Sequence, residues 1–141
     1  MMSKLEFFKL YISLIRIDLG LQIVGFERLF RKHVKRYSLP SANVQKLKIT
    51  AQVAEEINKL LMTIDYVCTV YPRSAQCMHR SFLGYQYLRK KFHLPVELVV
   101  GVRKMPFTAH AWLMLNGNNM NEDTQYTDQF QIILSTEGGR I

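Results

Sequence analysis

The sequence predicts an α+β fold, with helices first and strands after. Three observations carry that prediction. Apolar residues recur at three- and four-residue steps as far as residue 92. A run rich in β-branched residues then opens at Val96. Asn116-Gly117, set between apolar stretches, is a strong hairpin signal.

Taken in order, the first 37 residues read as helical, with Leu5, Phe8, Ile12, Ile15 and Leu19 as the apolar stripe. Gly20 and Gly25 mark a break before a second helical stretch, Phe26 to Arg36. That stretch carries Arg28, Arg31, Lys32, Lys35 and Arg36, cations that suit a helix C-terminus and read as a solvated face. Ser38-Leu39-Pro40-Ser41 is a turn, because the residue before proline is pushed out of helical geometry. A helix from Ala42 or Val44 to Thr69 follows, and its apolar stripe includes Cys68, which reads as a buried core thiol. Tyr71-Pro72-Arg73-Ser74 interrupts the chain again.

The next helix runs from Ala75 to Phe92, with Ser74 as N-cap and Met78, Phe82, Tyr85, Leu88 and Phe92 as the buried face. Pro95 prevents its continuation. Strands are expected over Val96–Val102, His110–Leu115 and Asn118–Glu122, and residues 135–141 read as a frayed tail. The length suits one domain. Within it, residues 1–70 form a helical region suited to docking a partner, and 71–134 form the chemical core.

Composition narrows the function. Hydrophobic residues make up 48% and charged residues 21%, which excludes a disordered chain. Cys68 and Cys77 make no disulfide framework, and the chain has neither CxxC nor HxxxH, so reduced thiols and no metal are expected. A Gly-rich phosphate loop is also missing, and no cofactor is expected. The net charge of +8 suits an acidic partner or simple solubility. No nucleic-acid motif accompanies it, so nucleic acid is not an expected partner. Lys9, Arg16, Asp18 and Glu27 break up the apolar N-terminal segment, and no signal-peptide pattern follows it. The expectation is a soluble, cytoplasmic protein, with peripheral membrane contact through residues 5–26 left open.

The chemistry concentrates in Cys77 and His110. Cys77 falls in the first turn of its helix, where unpaired N–H groups favour a thiolate and can hold an oxyanion. His110 leads the apolar strand His-Ala-Trp-Leu-Met-Leu, and alternation sets it on one face with Trp112 and Met114. An aliphatic residue would pack better there, which points to a base. Two carboxylates follow, and the hairpin register decides between them. A two-residue Asn116-Gly117 loop sets Asp123 opposite His110, and a three-residue loop sets Glu122 there. The residues permit both. His79, two positions after Cys77, reads as a surface or supporting group, since no three-ligand set surrounds it.

The blocks Cys77-Met78-His79-Arg80-Ser81, Val99-Val100-Gly101-Val102-Arg103 and Phe107-Thr108-Ala109-His110-Ala111-Trp112 resemble one family. It is the transglutaminase-like leader peptidases of lasso-peptide biosynthesis, related to microcin-processing proteins. The resemblance implies a papain/transglutaminase-like fold and a cysteine peptidase that removes the leader from a ribosomally made precursor. It implies Cys77 as nucleophile, His110 as base and acid, and the acid twelve residues beyond the histidine, Glu122. It also implies partners: the precursor peptide, a separate leader-binding protein and an ATP-dependent cyclase. Where relatives often carry an acidic residue after His-Ala-Trp, this chain has Leu113-Met114-Leu115. Acyl transfer to an amine would use the same three residues, and a catalytically silent peptide-binding adaptor is the rival outside enzymes.

Overall fold

The computed structural model describes residues 3–39, 49–75, 77–120, 122–137 and 139–140. Helix α1 (Lys4–Ile23) opens on a reciprocal cap. The Ser3 hydroxyl accepts from the Glu6 N–H, and the Glu6 carboxylate accepts from the Ser3 N–H. α2 (Phe26–Arg36), α3 (Ala51–Val70) and α4 (Cys77–Phe92) follow. The chain then enters β1 (Glu97–Lys104), β2 (Phe107–Leu115), β3 (Asn118–Met120), the short α5 (Thr124–Thr127), β4 (Gln131–Ser135) and β5 (Gly139–Arg140). These strands make one antiparallel sheet in the order β3-β2-β1-β4-β5.

α4 lies at the centre, with α1 and α3 on its flanks and β2 against it. Leu14 from α1, Val67 from α3, Phe82 and Leu88 from α4 and Leu98 from β1 are fully buried together. Each such side chain contributes roughly 1.5–3 kcal/mol on burial. Helices on one face of an antiparallel sheet make the α+β class that the sequence predicts. Among the described residues, no helix is long and apolar enough to cross a membrane.

The face that buries α1 differs from the expected stripe. Leu10, Leu14 and Ile17 meet the core, whereas Leu5, Phe8 and Leu19 are exposed. The helix is apolar on two faces, so spacing alone cannot choose between them. The face that packs carries Ser13 and Asp18, and both find partners inside: Ser13 Oγ lies 2.7 Å from the Tyr87 hydroxyl, and Asp18 pairs with His79.

Other boundaries move for local reasons. Thr50 is extended and accepts from the Val53 N–H, which starts α3 at Ala51. The predicted start near Ala42 or Val44 lies outside the described residues. Helix α4 begins at Cys77, so Ser74 stands too early to be its N-cap, and residue 76 lies outside the described residues. The predicted third strand is described over Asn118–Met120, and Glu122 lies outside it. β4 has no counterpart in the sequence reading, since Ile132-Ile133-Leu134 is too short to show alternation.

The expected frayed tail is tied down. The Thr136 N–H donates to the Leu98 carbonyl at 3.1 Å, and the Leu98 N–H donates to the Thr136 hydroxyl at 3.1 Å. Glu137 pairs with Arg89, and β5 pairs with β4. Arg89, in the last turn of α4, is only 4% exposed. It donates to the carbonyls of Val96 (2.9 Å) and Tyr37 (3.1 Å) and stacks over the Tyr85 ring. One side chain therefore joins α4 to the end of α2, to the approach to β1 and to the C-terminal residues.

Candidate active site

Cys77 is the first residue of α4, half-buried and packed against the main core. The N–H groups of a first helical turn have no carbonyl partner within the helix. Those of α4 stand beside the thiol. Cys68, by contrast, is deep on α3, and burial pushes its thiol up from the ordinary range. The two thiols differ in burial.

The start of α4 is held by a buried carboxylate from α1. Asp18, 7% exposed at its side chain, receives His79 Nε2 at 2.9 Å, the Tyr71 hydroxyl at 2.8 Å and Arg73 Nε at 3.2 Å. Burial alone would raise the Asp18 carboxyl. The hydrogen bonds from His79, Tyr71 and Gln22, with the charge of Arg73, outweigh it and hold the group below its usual value. His79 is thus a supporting group next to Cys77 on the helix. Nothing in the sequence links Asp18 to residues 71–79; only the fold does.

His110 sits in β2 directly opposite Gly101 of β1. Its ring stacks on Trp112 at 5.7 Å and 18° and meets Phe130 at 5.5 Å and the edge of Tyr126 at 5.2 Å. This aromatic box fixes the plane of the imidazole. His110 Nε2 lies 3.1 Å from Glu122 Oε1, with the two side chains 12% and 24% exposed. A carboxylate can only accept, so Nε2 carries the proton and donates, which leaves Nδ1 free to accept. Tyr126 and Phe130 belong to a segment that the sequence reading assigned to no element. Their aromatic character at a four-residue step was the available signal.

The hairpin geometry corrects the register argument. Asn116 and Gly117 have φ of 52° and 81°, and Leu115 pairs with Asn118. This is the two-residue loop, for which an extended ladder would bring Asp123 to His110. Glu122 and Asp123 stand outside the strand instead. Asp123 turns into the N-cap of α5, accepting from the Gln125 N–H at 2.9 Å, and Glu122 takes the imidazole. Cap preference at Asp123 overrides strand pairing.

The structure therefore brings His110 and Glu122 together. Among the described residues, Cys77 forms no hydrogen bond to His110. Alternation along β2 gives the reason. Ala111 and Leu113 face the core that α4 and Cys77 join, whereas His110 and Trp112 face the second cluster with Phe130 and Val99.

A family model for the transglutaminase-like superfamily matches residues 21–135. The chain belongs to the transglutaminase-like superfamily. That span takes in α2 to β4 and all of Cys77, His110 and Glu122. This transglutaminase-like chain is also similar to the microcin J25-processing protein McjB of Escherichia coli, at 24% identity over 133 residues. The match covers 92% of this chain and 59% of that relative, so the chain spans little more than half of its length. No solved structure matches.

Proposed function

We propose that this transglutaminase-like protein is a cysteine peptidase that removes the leader from a ribosomally made lasso-peptide precursor. The observation that carries the reading is the His110–Glu122 hydrogen bond, in a chain whose one half-buried thiol opens a helix. Superfamily membership and similarity to a protein named for processing microcin J25 support it.

The chemistry follows from the atoms available. With Nε2–H donating to Glu122, Nδ1 of His110 takes the Cys77 proton, a transfer that requires thiol and imidazole to close on one another in the substrate complex. The thiolate attacks the scissile carbonyl, and N–H groups at the start of α4 stabilise the oxyanion. The imidazolium Nδ1–H then protonates the leaving amine, and a thioester to Cys77 remains. Water gives a proton back to Nδ1 as it attacks, and the thioester breaks to a carboxylate and free Cys77. Glu122 balances the imidazolium charge throughout. In this reading a separate leader-binding protein delivers the precursor and a cyclase takes the cleaved core. The exposed Leu5, Phe8 and Leu19 face of α1 offers apolar surface to such a partner.

The test is mass spectrometry of the precursor from the same gene neighbourhood, with and without its leader-binding protein. Cleavage at one bond by wild type, lost in Cys77→Ala and His110→Ala, is expected. An intact precursor throughout, with Cys77 alkylated by iodoacetamide no faster than free cysteine, would favour the silent adaptor. A competing amine captured in the product would instead favour acyl transfer.

A further inference from the structure

A cleft of about 1160 Å³ is lined by none of Cys77, His110 or Glu122. It lies among α1, α2, α3 and the C-terminal half of α4. Seven lysines and arginines line it against two carboxylates, so most of the chain's surplus of +8 gathers here. The cations are scattered in sequence, and only Lys32 and Arg36 belong to the stretch read there as a solvated face. Lys91 and Lys59 are paired with Glu6 and Glu55. Lys9, Arg16, Lys32, Arg36 and Lys90 form no ion pair among the described residues. Beneath them the floor is aliphatic, with Leu10, Ile17, Leu29 and Leu60.

We infer that this cleft binds an acidic, aliphatic-bearing segment of the peptide substrate, away from the bond that is cut. A concave wall with a surplus of positive charge and low-dielectric sides concentrates anions. A floor of leucine and isoleucine accepts aliphatic side chains. Concavity also disfavours a flat lipid surface. Gln86 and Lys90, both in the lining, stand nine and thirteen residues beyond Cys77 along α4, or about 14–20 Å. Roughly four to six extended residues would join a segment in the cleft to the scissile bond. The identity of the occupant as substrate rests on the peptidase reading, but its chemistry does not.

The test uses the full chain with Cys77→Ala, so that nothing is cut. The probe is a fluorescein-labelled dodecapeptide of alternating glutamate and leucine, followed by anisotropy. It should bind about tenfold tighter than the same peptide with glutamine for glutamate. Arg16→Glu with Lys90→Glu should remove that preference, and the milder Arg16→Gln with Lys90→Gln should halve it if charge reversal disturbs folding. Lys4→Glu, outside the cleft, should leave it unchanged. Equal binding of both peptides, an equal loss in Lys4→Glu, or tighter binding of a twelve-nucleotide single strand would overturn the inference. Precursor cleavage without peptide binding sinks this inference alone; peptide binding without cleavage sinks the peptidase reading alone.

Discussion

Glu122 and Asp123 are adjacent carboxylates with different work. Glu122 receives the His110 N–H, and Asp123 receives the Gln125 N–H at the start of α5. In the peptidase reading, Glu122→Gln keeps an acceptor for Nε2–H but loses the charge that balances the imidazolium. The expected result is a kcat lower by ~10²-fold with KM nearly unchanged. Asp123→Asn keeps a good N-cap and should leave kcat close to wild type. Steady-state cleavage kinetics on both variants decide the matter, and an equal fall in the two would refute the assignment. His33 makes a separate prediction. Burial holds its imidazole below the usual histidine value, between the rings of Phe82 and Tyr37. Its folded-state value is depressed, so the unfolded chain binds the proton more readily. Stability is fully present above about pH 6.5 and is lost as pH falls through the folded-state value. Thermal melts from pH 7.5 to 5 should show a declining Tm, and His33→Gln should flatten the decline. An unchanged slope in that variant would place the acid sensitivity elsewhere.

At the scale of elements, β1 and β2 build the imidazole's seat through a missing side chain. A Cβ on Gly101 would stand 2.9 Å from both Phe130 Cβ and Trp112 Cη2. Gly101→Ala should therefore cost about 1–3 kcal/mol by overpacking and push Trp112 against His110. A lowered Tm together with a lowered kcat is expected, and wild-type values for both would show that the box yields without consequence. The helices and the first two strands were legible in the sequence because each spans several periods of its own pattern. Which face of α1 turns inward was not legible, since Asp18 finds His79 and Tyr71 only after the chain has folded back across more than fifty residues. The His110 partner was legible from the family spacing, but the hairpin argument for it failed. Strand pairing does not continue there, because Asp123 is committed to a helix cap.

At the scale of the whole molecule, Arg89 ties four separate stretches of chain together from a nearly dry position. Arg89→Met would preserve much of the stem's packing but leave the Val96 and Tyr37 carbonyls without their donor. A loss of about 2–4 kcal/mol is expected, a large share of a typical folding free energy. Urea denaturation would measure it, and a loss below about 1 kcal/mol would mean that water or a neighbour replaces the guanidinium.

The Asp18 carboxylate gives the first helix a mechanical role. It grips Tyr71, Arg73 and His79, the residues that bracket Cys77, so α1 works as a keystone pressed against the foot of α4. In the peptidase reading, residues 71–141 alone would not suffice, because the carboxylate that seats the start of the Cys77 helix lies in α1. Conversely, anything that tugs on α1 from outside holds a handle on Cys77 from the far side of the core.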